Sequence, residues 1–158
     1  MTDPSSAGDT PAGRLRSRGL RVTAPRVTVL DIVDTKPHLP APEIVRVTRE
    51  QLGTVSVQGV YDVLGALTDA GLLRRIQPAG SPARYEARVG DNHHHLVCRG
   101  CGLTVDVDCA VGEAPCLTPH EGPAKAGFVV DEAEVVWWGW CPACQAARAV
   151  TDDEVGAD

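Results

Sequence analysis

Apolar residues recur at helical spacing three times in the first half of the chain. Val27, Leu30 and Val33 mark a helix over about 24–34. Thr23-Ala24-Pro25 opens it, with a capping residue type followed by a proline tolerated in a first turn. The segment KPHLPAP at 36–42 holds three prolines, so a turn is expected there. Ile44, Val45 and Leu52 give a second helix over about 42–52, ended by Gly53. Ser56 is a good N-cap for a third helix over 56–70, with Val57, Val60, Leu64 and Leu67 apolar and Gly71 as the stop.

The period then changes. Leu72–Ile76 and Ala83–Glu86 read as strands, joined by the turn Pro78-Ala79-Gly80-Ser81-Pro82. Three helices followed by a two-stranded hairpin is the order of a winged helix-turn-helix, whose third helix enters the major groove. From residue 92 onward the pattern differs again. His94–Val97, Leu103–Asp108 and Glu134–Trp140 are strand-like, and Cys141–Val150 continues as a short alanine-rich helix. Residues 109–127, with several glycines and prolines, carry no assignable period. The expected fold is therefore α+β: an N-terminal winged helix-turn-helix over 14–86, a hinge at 87–92 and a small α/β module over 93–150. A polar tail at 1–13 and an acidic tail at 151–158 flank them.

Composition sharpens this. The N-terminal residues lack a cationic start followed by an apolar stretch, and no apolar run is long enough for a membrane span, which points to the cytoplasm. The net charge of −6 argues against nucleic acid, but its distribution does not. Residues 1–86 carry 11 Lys and Arg against 9 acids, whereas 87–158 carry 4 against 12. Five arginines and no acid lie between Arg14 and Arg26, the asymmetry of a DNA-facing half joined to a different module.

Cys98-x-x-Cys101 and Cys141-x-x-Cys144 are separated by 39 residues. Each pair closes a tight turn that aims two thiolates at one point, and two such knuckles make the closed tetrahedral sulfur site of a structural Zn²⁺. A zinc nucleobase deaminase also uses P-C-x-x-C, but needs an H-x-E that this chain lacks, and four thiolates leave no open position for water. The chain is thus expected not to be an enzyme. Cys109 and Cys116, outside the knuckles, read either as small buried hydrophobes or as a thiol switch. In the run His93-His94-His95, alternation puts His93 and His95 on one face of a strand. With a carboxylate from Asp106 or Glu86 they would suit Fe²⁺ or Mn²⁺ better than a second zinc.

The stretches GLRVTAPR (19–26), SVQGVYDVL (56–64), DAGLLRR (69–75), ARYE (83–86), HHHLVCRGCG (93–102) and CPAC (141–144) together resemble the ferric uptake regulator family, from about Leu15 to Ala147. The closest resemblance is to its peroxide-sensing, catalase-linked branch. The resemblance implies a homodimer, joined through the C-terminal domain, that represses transcription from a palindromic DNA operator. It implies structural zinc on Cys98, Cys101, Cys141 and Cys144, and a regulatory metal on His38, Glu86, His93, His95 and Asp106. His38 is carried over from the pattern His38-Leu-Pro-Ala-Pro-Glu-Ile44. Arg21, Arg26, Ser56, Gln58 and Tyr61 fall at DNA-facing positions, although Gln58-Gly59 replaces the commoner Ala-Thr and leaves the operator sequence open. A further metal site would draw on His94 and Glu113, but Ala133 stands at the position of another of its ligands. Asp106 follows the peroxide sensors and Glu86 the iron sensors. The function implied is a peroxide-responsive repressor of genes such as a catalase, acting through metal-catalysed oxidation of a ligand histidine. An iron- or zinc-responsive uptake repressor and a thiol-based redox regulator are the alternatives. A zinc-stapled interaction module with no DNA role is a third.

Overall fold

The computed structural model describes residues 9–113, 117, 126–130 and 133–155, with side chains to residue 149. The expected tails at 1–8 and 156–158, and Cys116, lie outside the described residues. The chain divides into two compact units, 1–89 and 90–158.

The first unit is built on four helices: α1 (Pro11–Ser17), α2 (Ala24–Thr35), α3 (Ala41–Leu52) and α4 (Val57–Asp69). Periodicity anticipates the last three, since each turns one apolar stripe inward. α2 buries Val29, Leu30, Ile32 and Val33; α3 buries Ile44 and Val45; α4 buries Val60, Leu64 and Leu67. These stripes meet Leu15, Leu72, Leu73 and Tyr85 in one core. Burying each such side chain contributes about 1.5–3 kcal/mol.

The helix ends follow local chemistry. Ser56 Oγ accepts from Gly59 N at 2.9 Å and caps α4. At its other end Gly71 takes φ +64°, and Leu72 N donates back to Leu67 O at 2.9 Å. Only a residue without Cβ enters that left-handed turn at low cost, so the helix stops there. Thr23 precedes α2 with extended backbone but makes no side-chain capping bond.

Two elements differ from the sequence reading. The expected tail over 1–13 gives way to α1 at Pro11, where Thr10 Oγ1 accepts from Gly13 N at 3.1 Å and Leu15 is fully buried. One apolar residue in a Gly/Pro-rich stretch has no visible period, so pattern could not find it. The expected turn over 36–42 contains the two-residue strand β1 (Leu39–Pro40), and α3 begins at Ala41. β1 is an edge strand in the sheet order β1-β3-β2, with β2 spanning Arg74–Ile76 and β3 spanning Arg84–Glu86. Pro40 lacks an N–H to donate and is tolerated at an edge. β2 and β3, antiparallel with Arg75 opposite Tyr85, form the wing.

The second unit is a three-stranded sheet, order β5-β4-β6, followed by α5 (Pro142–Val155). β4 (His93–Cys98) is central, antiparallel to β5 (Thr104–Asp108) and parallel to β6 (Val136–Gly139). Leu96 stands opposite both Val105 and Trp137. α5 runs past the expected end of the module, so residues 151–155 are helical where an acidic tail was anticipated.

Candidate metal centres and nucleic-acid face

The two cysteine pairs meet. Cys98 closes β4 and Cys101 lies on the turn beyond it; Cys141 follows β6 and Cys144 sits in the first turn of α5. Because β4 and β6 run parallel, both knuckles emerge at the same end of the sheet. The four Sγ atoms lie within 4.8 Å of one another, and Cys101 Sγ is 3.7 Å from Cys141 Sγ. A tetrahedron with Zn–S bonds of about 2.3 Å has edges of about 3.8 Å, so the donor set fits a four-thiolate zinc.

Backbone geometry builds this cluster. Gly102 N donates to Cys98 O at 3.0 Å and Cys98 N to Leu103 O at 2.8 Å, closing the first knuckle. Arg99 N donates to Gly139 O at 2.8 Å and ties it to β6. Gly100 is the tightest position: a Cβ there would lie 2.8 Å from Cys144 Sγ and 3.0 Å from the Trp140 ring. Electrostatics divides the thiols. The backbone N–H of Cys141, 3.3 Å from Cys98 Sγ, together with that of Cys101, lowers the Cys98 thiol to about 6. Cys144 is pushed up to about 12 by its hydrogen bonds to Cys141, Cys98 and Cys101. Four thiols this close cannot all ionise without a cation between them.

A second set of donors lies upstream on the same strand. His93, His95 and Asp106 share one face of the sheet, with His95 directly opposite Asp106. Asp106 Oδ1 is 3.6 Å from His95 Nε2 and 3.8 Å from His93 Nε2. These separations exceed hydrogen-bonding distance; among the described residues His95 and Asp106 belong to a cluster of donors within 4.8 Å of one another, and His93 stands outside it. Asp91, which sequence reasoning did not single out, lies 2.7 Å from His93 Nδ1. A carboxylate on Nδ1 fixes the ring and leaves Nε2 to a metal. The only signal was its place two residues before His93. His94 points to the other face, where its ring meets Trp137 edge-on at 5.7 Å. Asn92 Nδ2 donates to the backbone of Glu113 at 3.0 Å. Among the described residues, no cluster of three metal-binding side chains includes His94 or Glu113.

In the first unit, His38 and Glu86 form a buried pair, Nε2 to Oε2 at 2.8 Å. His38 is the one non-glycine described with positive φ, +63°. Its backbone is held on both sides: His38 N donates to Tyr85 O and Arg84 Nη1 donates to His38 O, each at 2.9 Å. Left-handed backbone at a non-glycine persists only when its surroundings fix it, and it concentrates at functional sites.

The outer face of α4 presents Gln58, Tyr61 and Asp62 to solvent, with Tyr61 40% exposed. Ser56 is spent on the helix cap. A Cβ at Gly59 would stand 3.1 Å from the Ser56 hydroxyl, a tight but not forbidden approach. Arg21 is exposed and Arg26 half-buried, with Arg26 Nη1 donating to Arg21 O at 2.9 Å.

A winged helix joined to a sheet that gathers thiols and imidazoles defines a class, the metal-binding transcriptional regulators. The ferric uptake regulator family profile matches residues 17–115. The transcriptional regulator FurA of Mycobacterium tuberculosis is 60% identical over 133 residues, covering 84% of this chain and 88% of that protein. Among solved structures, the Helicobacter pylori ferric uptake regulator, described with three functional metal sites, superposes with a TM-score of 0.62 at 19% identity, covering 91% of this chain and 95% of that one. The Campylobacter jejuni peroxide stress regulator superposes with a TM-score of 0.59 at 19% identity, covering 90% and 100%. This chain belongs to the ferric uptake regulator family, whose members are transcriptional regulators rather than enzymes. No helix among the described residues is long and apolar enough to cross a membrane.

Proposed function

We propose that the protein is a metal-dependent transcriptional repressor that senses peroxide in the cytoplasm and controls oxidative-stress genes such as a catalase. The observation that carries this reading is the donor set His93, His95 and Asp106 on one sheet face. Two imidazoles and one carboxylate are the ligands of ferrous sites that keep open positions.

Cys98, Cys101, Cys141 and Cys144 hold a structural Zn²⁺ that braces the C-terminal sheet. His38 and Glu86 of the first unit join His93, His95 and Asp106 of the second around one Fe²⁺ or Mn²⁺. With ligands drawn from both units, these residues would restrict the mutual orientation of the units when the metal is bound, and so the separation of the two α4 helices in a homodimer. Only one separation matches successive major grooves of a palindromic operator, and the shift in population becomes DNA affinity. Iron, when bound, would supply the electrons that open the O–O bond of hydrogen peroxide; over the whole reaction one peroxide oxygen goes to the ring of His38 or His93, a two-electron oxidation, and the other leaves as water. An oxidised ring is a poor ligand, and the fixed orientation would be lost. Arg21, Arg26 and Tyr61 contact DNA. The exposed apolar face of Leu96, Val105 and Trp137 supports the homodimer.

The test is mass spectrometry of protein loaded with Fe²⁺ without oxygen and then treated with peroxide. One added oxygen on the His38 or His93 peptide is expected, with loss of retention of operator DNA on a gel. Oxidation confined to cysteines would replace this mechanism with a thiol switch at Cys109 and Cys116.

An iron-responsive uptake repressor is the second reading. Glu86, already bonded to His38, favours it, as does 54% identity to ferric uptake regulation protein 1 of Mycolicibacterium fortuitum. Asp106→Glu separates the two: a blunted peroxide response favours sensing, and an unchanged one favours iron uptake.

A further inference from the structure

The outer face of α4 is chemically unusual for a helix that enters DNA. No lysine or arginine occurs in residues 57–69, so the element carries no cation for phosphate. What it exposes is an amide and a carboxylate one turn apart. Gln58 Nε2 donates to Asp62 Oδ1 at 2.8 Å.

That bond decides how Gln58 faces outward. A carboxylate can only accept, so the amide nitrogen must turn towards Asp62 and the carbonyl away from it. One N–H is consumed by the bond. The other N–H and the carbonyl oxygen stay available at the exposed first turn of the helix. One donor beside one acceptor is what the major-groove edge of adenine requires, with N7 accepting and the N6 amino group donating. The Asp62 carboxylate adds discrimination: it repels O6 of guanine where adenine carries an N6 amino group, and it repels phosphate, lowering affinity for DNA in general.

We propose that Gln58, held in register by Asp62, reads an A·T pair in each half of the operator, Gln58 making the base contact and Asp62 acting as its positioning residue. This rests on the repressor reading above and adds to it the base chemistry of the operator. Phosphate contacts then come from outside α4, from the arginine-rich segment between Arg14 and Arg26, which divides the labour of affinity and sequence reading between two elements.

The experiment is selection from a library of randomised palindromic duplexes with the full-length, metal-loaded protein, sequencing the bound pool and measuring affinity for a mixed-sequence duplex. The parent protein should enrich adenine at one position per half-site. Gln58→Ala should flatten that position, a loss of about 5- to 150-fold in preference, while the preferences at other positions stay. Gln58→Glu should move the preference from adenine to cytosine, whose N4 amino group donates to a carboxylate. Asp62→Ala should blur the same position and raise affinity for mixed-sequence DNA. If Gln58→Ala and Gln58→Glu select the same bases as the parent, the proposal is overturned while the repressor reading stands. A parent protein that enriches no sequence overturns both. An Asp62→Ala protein with the parent's base preferences overturns the positioning role.

Discussion

Single atoms decide whether the thiol cluster can form. At Gly100 a Cβ would fall 2.8 Å from Cys144 Sγ and 3.0 Å from the Trp140 ring, so something there must shift. Gly100→Ala should therefore push Cys144 away from the other three sulfurs. A fall of about 10–100-fold in zinc affinity is expected, the range found when the support of a ligand shell is removed. Competition with a chromophoric chelator measures it, and an unchanged affinity would show that the knuckle relaxes freely. His38 is the opposite case, a side chain where backbone strain favours glycine. Its φ of +63° costs of order 1–3 kcal/mol, and the bonds to Tyr85 and Arg84 hold it there. The sequence exposes the two kinds of residue unequally. Cysteine pairs announce themselves by type and spacing. His38 is a lone histidine among prolines, and only a resemblance marked it. Gly100 lies in plain view within the knuckle, but its role depends on Trp140 and Cys144, 40 and 44 residues away, which no local pattern reports.

Elements were legible in proportion to their amphipathic period. α2, α3 and α4 carry a full apolar stripe, and their predicted limits fall within a residue or two of the observed ones. α1 has one buried side chain and β1 has two residues, so both owe their existence to partners distant in the chain. α5 overruns its expected limit because TDDE breaks the apolar pattern without breaking the helix. Within α4, the cap is the weakest link that can be tested. Ser56→Ala removes the acceptor for Gly59 N, which should cost about 0.5–2 kcal/mol. For a unit of this size, about 4–8 °C of melting temperature per kcal/mol follows, readable by circular dichroism. An unchanged midpoint would mean that tertiary packing alone holds the first turn.

On the scale of the whole molecule, the second sheet leaves an apolar face in water. Leu96, Val105 and Trp137 are cross-strand neighbours, 42–46% exposed. Contiguous exposed apolar side chains of this kind mark association surfaces. A charge placed at their centre, Leu96→Lys, should shift the protein from dimer to monomer in light scattering without altering its zinc content. Retention of the dimer would move the interface elsewhere. That readout is independent of the first unit, whose core is complete in itself.

β4 is shared property. It carries His93 and His95 near its start and ends on Cys98, three residues or about 10 Å further along. Its alignment with β6 puts Cys98 beside Gly139, next to the second cysteine knuckle. Removing the ion from the thiols would unpin that end of the strand and let the imidazoles upstream drift from Asp106. On the proposed reading the two metals are ranked rather than parallel inputs, and a cell starved of zinc would lose the response of the imidazole site as well.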